Sequence, residues 1–308
     1  MGSKVYLSYD SNANEDGTGA QLARILGLYA VSKEYGLGYV HSPISNLLSH
    51  PLDPFQNDVQ KVKYLERLNQ LFALRSSHLL SHPKYIKKSS LTRRFLLLQI
   101  LLSKILHQPR LILVSSPFQI TNIKPDIFRF VPEVITSLRE PKNRTELFNI
   151  VVHLRRIQGN IIVTGENSPR SLPNSYYLDN IANIINSLPK DAVHSITIHT
   201  DVPESSTDYE VLTSDREHYL KAGHNFHNGT LKVESENLED NFKIFGDRLQ
   251  IVYGGDPILA LKDMANADYL VLSRSALGFV GAILNEQGKI IYPTGFPLSP
   301  LSEWVPGI

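Results

Sequence analysis

The sequence has no cysteine, and this absence excludes several kinds of chemistry. A disulfide framework, a thiol nucleophile and a thiolate-bound zinc ion all require that residue. The formal net charge is only +1, so a general nucleic-acid surface is not indicated and we expect no nucleic-acid partner. The apolar share of 42% and the charged share of 20% are typical of a soluble globular protein, here long enough for about two domains.

A long apolar run is also lacking. The longest apolar block, Phe95 to Leu106, is interrupted by polar residues and is too short to span a bilayer. We therefore expect a buried helix there and no membrane span. The N-terminus shows no basic region followed by an apolar segment, so no secretory signal is indicated and we expect a cytoplasmic location. The sequence leaves the oligomeric state open.

Strand-like and helix-like segments alternate along the chain, which predicts an α/β protein with parallel sheets. In the first half the predicted strands are 5–9, 39–41 and 111–114, and the predicted helices are 21–34, 59–74, 91–107 and 127–138. In the second half the strands are 146–153, 194–199, 249–253, 269–272 and 289–292, and the helices are 175–188, 237–246, 257–265 and 276–285. The region 202–230 is predicted to be a long loop with a little structure. A polar stretch at 141–145 is the predicted linker. It would join two doubly wound domains of Rossmann type, 1–143 and 144–308, with a cleft between them.

Basic residues follow the first predicted strand of the second domain. The run Val151-Val152-His153-Leu154-Arg155-Arg156 passes from β-branched residues to one imidazole and two guanidiniums. Open α/β sheets bind their ligands at the carboxyl ends of their strands, and arginine binds phosphate through two parallel hydrogen bonds. The pattern indicates an anion site, most simply for the diphosphate of a nucleotide. A solvated basic strand end is the alternative.

Two more strands of this domain end in polar residues. Thr200 and Asp201 follow one, and Ser273, Arg274 and Ser275 lead from the other into a helix. A helix N-terminus with serine hydroxyls can bind phosphate, although Ser275 could equally be a plain N-cap. Together the three strand ends supply a cation, a carboxylate for a ribose or base, and a helix terminus. This combination predicts a nucleotide-sugar site.

These segments also resemble motifs of the α1,2- and α1,6-fucosyltransferases. Residues 263–282 are similar to the C-terminal motif of that family, and His153-Leu154-Arg155-Arg156 is similar to its H-x-R-R motif. Thr200-Asp201 resembles the middle motif, and Gly17-Thr18-Gly19-Ala20-Gln21 resembles the N-terminal G-x-G-[NA]-Q. The resemblance implies a GT-B-like fold, inverting transfer of a sugar from a nucleotide-sugar donor, and neither a metal nor another cofactor.

The resemblance also implies roles for individual residues. Arg155 would hold the donor diphosphate and stabilise the charge that develops on it, with Arg156 beside it and His153 on the nucleotide. Thr200 and Asp201 would bind the ribose or base. The donor pocket would be completed by Asp263, Ser273, Arg274 and Ser275. Gly17 and Gly19 would let the first loop approach the donor from the other domain.

The chain departs from the family pattern at three places. Gln158 stands where the first motif ends in aspartate, Arg274 replaces an asparagine, and residues 277–280 replace an aromatic run. These changes alter the donor pocket. Fucose from GDP-fucose is the first expectation, and another donor on the same scaffold, such as UDP-xylose, is the alternative.

The general base and the acceptor contacts are less strongly marked. Glu166 and Asp16 are the candidates for deprotonating the acceptor hydroxyl, and ordinary loop carboxylates are the alternative for both. Asp10 and His41 end first-domain strands and are expected to bind the glycan acceptor. Three further histidines have a spacing that fits no standard metal site, so we expect them to be solvated: His218, His224 and His227.

Two other classes of function are alternatives. A non-catalytic module that binds a nucleotide sugar or a carbohydrate is favoured by Gln158, because the motif carboxylate is missing there. An oxidoreductase acting on sugar nucleotides is disfavoured, because Gly17-Thr18-Gly19 is not followed by the third glycine of the dinucleotide fingerprint.

Overall fold

The computed structural model of the chain describes residues 4–12, 16–48, 53–55, 57–131, 137–138, 147–158, 161–162, 171–210, 212, 217, 230–296 and 298–308. It divides into two compact units. Unit 1 comprises 1–47, 65–137 and 298–302, and unit 2 comprises 48–64, 138–297 and 303–308. The predicted linker at 141–145 lies outside the described residues, so the boundary at 143 and the cleft stay predictions.

Unit 1 contains a four-stranded parallel sheet. Its strands are β1 (Val5–Tyr9), β2 (Gly38–Tyr39), β3 (Lys84–Ser90) and β4 (Arg110–Ser116), in the spatial order β2-β1-β4-β3. The helices of this part of the chain are α1 (Thr18–Glu34), α2 (Asp58–Leu71), α3 (Arg93–Ile105) and α4 (Phe118–Thr121), followed by a 3-10 helix at Pro125–Phe130. All five residues of β1 are buried, so this strand lies in the core of unit 1.

Unit 2 contains a six-stranded parallel sheet. Its strands are β5 (Leu147–Leu154), β8 (Val193–Thr200), β11 (Leu249–Tyr253), β12 (Tyr269–Val271), β13 (Lys289–Tyr292) and β14 (Val305–Pro306), in the order β11-β8-β5-β12-β13-β14. Its helices are α5 (Asn174–Ser187), α6 (Leu238–Phe242), α7 (Pro257–Asn266) and α8 (Ala276–Leu284), with a 3-10 helix at Lys243–Arg248. Two small antiparallel pairs complete the described part: β6 (Ile157–Gln158) with β7 (Ile161–Ile162), and β9 (Thr207–Glu210) with β10 (Thr230–Val233).

Numbered along the chain, the strands of the larger sheet follow the order 3-2-1-4-5-6 of dinucleotide-binding domains. The predicted α/β class with parallel sheets is therefore confirmed in both units. Side chains alternate between the two faces of a strand. Ile150, Val152 and Leu154 enter the main core with Ile196 and Ile198. His153 and His199, paired across the two strands, consequently lie on the opposite face.

Four element predictions need correction. β3 falls between two predicted helices, and β14 follows the strand expected to be the last. The region 202–230, predicted as a long loop with a little structure, includes β9, which pairs with β10 at Thr230–Val233. The predicted helix 127–138 corresponds, where it is described, to the end of a 3-10 helix.

The apolar block at 95–106 does form a helix, but it is not buried: Leu97, Leu98, Leu101, Ile105 and Leu106 are all exposed. Its inward face is partly polar, with Gln99 and Ser103 buried, which explains why the apolar residues are exposed. Within the described residues, no helix is long and apolar enough to cross a membrane.

Candidate functional site

The carboxyl ends of β5 and β12 are neighbours in the sheet of unit 2. The strands β5, β8 and β11 follow one another towards one edge of the sheet, and β12, β13 and β14 follow one another towards the other edge. The strand order therefore reverses between β5 and β12. In open α/β sheets the ligand lies at such a point. His153 is on β5, and Ser273 comes two residues after β12. The strand order therefore joins two motifs that are far apart in the sequence.

His153 and Ser273 contact each other directly at this point. The Nδ1 atom of His153 lies 2.7 Å from the hydroxyl oxygen of Ser273, and both side chains are buried. The first turn of α8 packs on the imidazole at Gly278, where an added Cβ would lie 3.3 Å from Nδ1. A glycine at that position lets the helix terminus approach the ring closely. The imidazole orientation is thus fixed from two sides.

The imidazole of His153 is held in its neutral form. Burial, with the nearby Arg155 guanidinium and His199 ring as further causes, lowers the pKa of His153 from 6.5 to about 3. A neutral ring keeps one N–H donor and one acceptor nitrogen. At neutral pH His153 can therefore hydrogen-bond a polar ligand group but adds no charge to the site.

The stability of unit 2 should depend on pH through His153. Below pH 6.5 the unfolded chain takes up a proton that the folded chain takes up only near pH 3, so the free energy of unfolding falls as the pH drops from 6.5 towards 3. The slope from this residue is at most about 1.4 kcal/mol per pH unit. Urea unfolding at pH 7.5, 6.5 and 5.5 should show a smaller acid loss for His153→Asn than for the wild type. Equal losses would contradict the buried neutral imidazole.

Arg155 is held by Asp201, which follows the neighbouring strand β8. The Nε atom of Arg155 lies 3.0 Å from one carboxylate oxygen, and the backbone N–H of Arg156 donates to the other at 2.7 Å. The side chains of Arg155 and Asp201 remain 20% and 17% exposed. Both oxygens of the carboxylate thus engage the end of β5. The structure places Asp201 where it orients Arg155, while its predicted contact with a ribose or base stays a prediction.

Arg156 points in a different direction from Arg155 and is buried. Its Nε donates to Glu236 at 2.9 Å, its Nη1 donates to the Leu172 carbonyl at 2.8 Å, and its Nη2 donates to Asn174. The guanidinium also lies 5.6 Å from the ring centroid of Tyr177. Arg156 therefore ties loop segments of unit 2 to the start of α5. Its predicted contact with the donor stays a prediction.

Ser275 is the N-cap of α8. Its hydroxyl accepts a hydrogen bond from the backbone N–H of Leu277 at 3.2 Å, so one of the two roles considered for this serine is observed. The other N–H groups of the first helical turn have no partner within the helix itself, as at any helix N-terminus. This terminus carries partial positive charge beside His153 and Ser273. An anion is the ligand such a place favours.

The other predicted donor residues of unit 2 lie around the same strand ends. Thr200 accepts a hydrogen bond from the Val202 N–H at 3.2 Å and shapes the turn after β8. The Nε2 atom of His199 lies 2.8 Å from the Asp263 carboxylate, which is half exposed. Arg274 donates from Nε to the Thr294 carbonyl at 3.0 Å. Contact of these side chains with a donor stays a prediction.

Asp16 and the first glycine of the N-terminal motif form the start of α1 in unit 1. The Asp16 carboxylate accepts from the Gly17 N–H at 2.9 Å through one oxygen and from Arg24 at 2.7 Å through the other. Gly17 is the N-cap of α1, and Gly19 is buried in the first turn. An added Cβ on Gly17 would meet no atom within 4 Å. Asp16 is thus engaged as a structural carboxylate, and its role as a base stays a prediction.

Asp10 and His41 follow strands of unit 1, as predicted. Lys87 lies 3.8 Å from the Asp10 carboxylate. The Nδ1 atom of His41 lies 3.4 Å from the Tyr39 hydroxyl, and partial burial lowers the pKa of His41. Their acceptor contacts stay predictions.

Several predicted residues lie outside the described part of the chain. They are Glu166 and the three histidines His218, His224 and His227. Among the residues that the structure does describe, no group of three or more histidine or acidic side chains is arranged to hold a metal ion. Metal independence stays a prediction.

One part of the site was missed in the sequence. After β11 the chain turns through Gly254 and Gly255, whose φ angles of 61° and 99° are in the left-handed region that glycine adopts easily. Asp256 then caps α7, accepting from the Ile258 N–H at 2.9 Å. The signal was present as Gly-Gly-Asp-Pro, a turn followed by an N-cap and a proline at the first helical position. This places exposed backbone at a further strand end on the same edge of the sheet.

No family model and no curated protein matches the sequence. Among solved structures, POFUT1 in complex with GDP aligns with 94% of this chain and 97% of its own, at 12% identity and a TM-score of 0.44. The E. coli heptosyltransferase WaaC with ADP aligns with 96% of this chain and 88% of its own, at 9% identity and a TM-score of 0.36. Similarities with TM-scores below 0.5 support no functional conclusion by themselves.

Proposed function

We propose that this chain is a glycosyltransferase that takes its sugar from a nucleoside diphosphate donor bound to unit 2. One observation carries the proposal: His153 and Ser273 meet at the switch point of the sheet, with Arg155 held beside them by Asp201. An oriented guanidinium and a helix N-terminus are groups that bind phosphate, and a neutral ring beside them can hydrogen-bond another polar group of the nucleotide.

In the proposed reaction the acceptor hydroxyl oxygen bonds to the anomeric carbon of the sugar. The bond from that carbon to the β-phosphate oxygen breaks, and its electron pair stays on the departing diphosphate. Arg155 stabilises the negative charge that grows there, and this stabilisation lowers the barrier because the charge is greatest in the transition state. Direct displacement inverts the anomeric configuration, and in this proposal the positive charge beside the leaving diphosphate comes from Arg155 and not from a metal ion. The hydroxyl proton passes to a base, for which Asp16 and Glu166 are the candidates.

Fucose from GDP-fucose, transferred to a glycan hydroxyl, is the specific reaction we propose first. It is supported by the resemblance of residues 263–282 and of the His153 motif to fucosyltransferase motifs. UDP-xylose on the same scaffold is the alternative donor. It is favoured by Arg274 and by residues 277–280, which depart from the family pattern in the donor pocket.

The experiment that tests this function is a thermal-shift screen with GDP-fucose, GDP-mannose, UDP-xylose, GDP, UDP, guanosine and uridine. Trp304, the single tryptophan, belongs to unit 2 and is buried against Phe279, so its fluorescence follows the unfolding of that unit. A ligand at 100 times its Kd stabilises the folded state by about 2.7 kcal/mol, which raises Tm by roughly 5–10 °C.

We expect such a shift with one family of sugar nucleotides and with its free diphosphate. The two nucleosides are matched controls, because they keep the base and ribose but lack the diphosphate, and they should give almost no shift. If no sugar nucleotide or diphosphate stabilises the protein, the proposed donor site is wrong.

A non-catalytic nucleotide-sugar or carbohydrate-binding module is the second candidate. It is favoured by Asp16, whose two carboxylate oxygens are both engaged by Gly17 and Arg24, and by Gln158 in place of the motif carboxylate. Stabilisation by a donor without release of nucleoside diphosphate, across a broad panel of glycan acceptors, would support the module. Release of diphosphate that depends on an acceptor would support the enzyme.

A further inference from the structure

Helix α3 of unit 1 has its polarity reversed. A surface helix usually turns its apolar side inward and its polar side to water. Here the buried residues are Leu96, Gln99 and Ser103. The inward polar groups are satisfied inside the unit: Gln99 accepts from buried Arg110 at 2.7 Å, and Ser103 donates to the Gln108 carbonyl at 3.0 Å.

The outward side of the same helix is apolar. Leu97, Leu98, Leu101 and Ile105, with Leu106 directly after the helix, are between 46% and 61% exposed, and together they are called the leucine face. Three of them, at positions 97, 101 and 105, recur every four residues and so form one stripe. A groove of about 780 Å³ beside the start of α3 extends the apolar surface to Phe118 and Ile123. An exposed patch of this kind marks an interaction surface rather than ordinary surface.

Basic residues flank the leucine face. Although the whole chain has a formal net charge of only +1, residues 67–125 contain ten lysines and arginines and no aspartate or glutamate, and all ten except the buried Arg110 are exposed. Arg93 and Arg94 begin α3 and line the groove. The edge strand β3 carries Lys84, Lys87 and Lys88, and the Lys88 ammonium lies 4.8 Å from the Phe95 ring centroid. The basic strand is thus adjacent to the leucine helix.

We infer that the leucine face docks on the surface of an anionic lipid bilayer. Leucines enter the boundary between headgroups and acyl chains, while the flanking lysines and arginines contact the anionic headgroups. This occupant accounts for both features at once. Binding of a polyanion such as nucleic acid would leave the exposed leucines unexplained, and binding of an apolar partner would leave the exposed basic residues beside them unexplained. The helix lies on such a surface and does not cross it.

Co-sedimentation of the full chain with vesicles tests this inference. One set of vesicles contains phosphatidylcholine alone, and the other contains about 30% phosphatidylserine. We expect at least tenfold stronger binding to the anionic vesicles, with a loss of binding when the salt concentration rises from about 0.1 M to about 0.5 M. Arg93→Gln/Arg94→Gln should lower the preference for anionic vesicles by about tenfold.

The variant Leu97→Gln/Leu101→Gln should lose at least tenfold in binding to anionic vesicles. The matched control is Ile244→Gln/Leu259→Gln, which changes two exposed apolar residues of unit 2 and should bind like the wild type. Unchanged Tm values will show that all variants are folded. The inference is overturned if the wild type does not bind anionic vesicles, or if the Leu97/Leu101 variant binds them equally well. A wild-type dimer that only this variant abolishes, without vesicle binding, would assign the leucine face to a second copy of the chain and overturn it too.

Discussion

Arg155→Ala should slow the release of nucleoside diphosphate from the donor by more than about 30-fold, equivalent to more than 2 kcal/mol of barrier. The reason is electrostatic, because the charge on the departing diphosphate is greatest in the transition state and Arg155 is already positioned by Asp201 at 3.0 Å. The donor for the assay is the one that gives the largest thermal shift. The rate and the donor Kd are measured separately, and we expect a larger effect on the rate.

Two further variants make this result specific to the guanidinium. Arg155→Lys keeps the charge but lacks the planar fork, so it should recover only part of the rate. Asp201→Asn keeps Arg155 but weakens its orientation, and a smaller loss is expected. The Trp304 unfolding curve of Arg155→Ala should shift less than that of Arg156→Ala, since the Arg155 side chain is 20% exposed and the Arg156 side chain only 1%. Full activity of Arg155→Ala would remove the central residue of the proposed function.

The strands of unit 2 could be predicted because each is a short apolar run that ends in polar residues. β5, β8 and β12 were all located to within a few residues from this signal. The order of the strands in the sheet is not contained in such local patterns. The contact between His153 and Ser273 depends on β12 lying next to β5, although the two residues are 120 positions apart. The sequence therefore predicts the components of the site but not their pairing.

β3 was missed because it is an edge strand with most of its surface exposed. Its residues, Lys-Tyr-Ile-Lys-Lys-Ser-Ser, show neither a continuous apolar run nor regular alternation, and it pairs with β4 alone. Lysines of this kind protect an edge strand from pairing with other chains. Local propensity carries little information about such a strand, since its partner supplies most of the hydrogen bonding.

Helix α3 was predicted as a helix but with the wrong environment. Its six leucines and isoleucines between residues 96 and 102 lie on nearly all sides, so periodicity does not show which side faces the core. The decision depends on Arg110, which is buried and bonded to Gln99 from the neighbouring strand β4. A buried arginine needs a polar partner, and the helix therefore turns its glutamine inward. That constraint comes from tertiary structure.

The adjacent arginines show the same limit, because sequence alone treats Arg155 and Arg156 as one basic pair. The structure separates them. Arg155 remains partly exposed at the strand end, whereas the Arg156 side chain is only 1% exposed and binds Glu236, which lies 80 positions further along the chain. The two residues should consequently have opposite phenotypes, one in activity and the other in stability.

Arg156→Ala should destabilise unit 2 by about 3–5 kcal/mol, the usual cost of removing one partner from a buried ion pair. The substitution leaves the Glu236 carboxylate without its cation and removes the donors to the Leu172 carbonyl and to Asn174. Urea unfolding followed by Trp304 fluorescence measures the loss in the correct unit, with Arg155→Ala as the matched neighbour. Arg156→Ala/Glu236→Gln should recover part of the loss, since no uncompensated carboxylate remains buried. If Arg156→Ala unfolds at the same urea concentration as the wild type while Arg155→Ala is destabilised, the structural and functional arginines have been assigned the wrong way round.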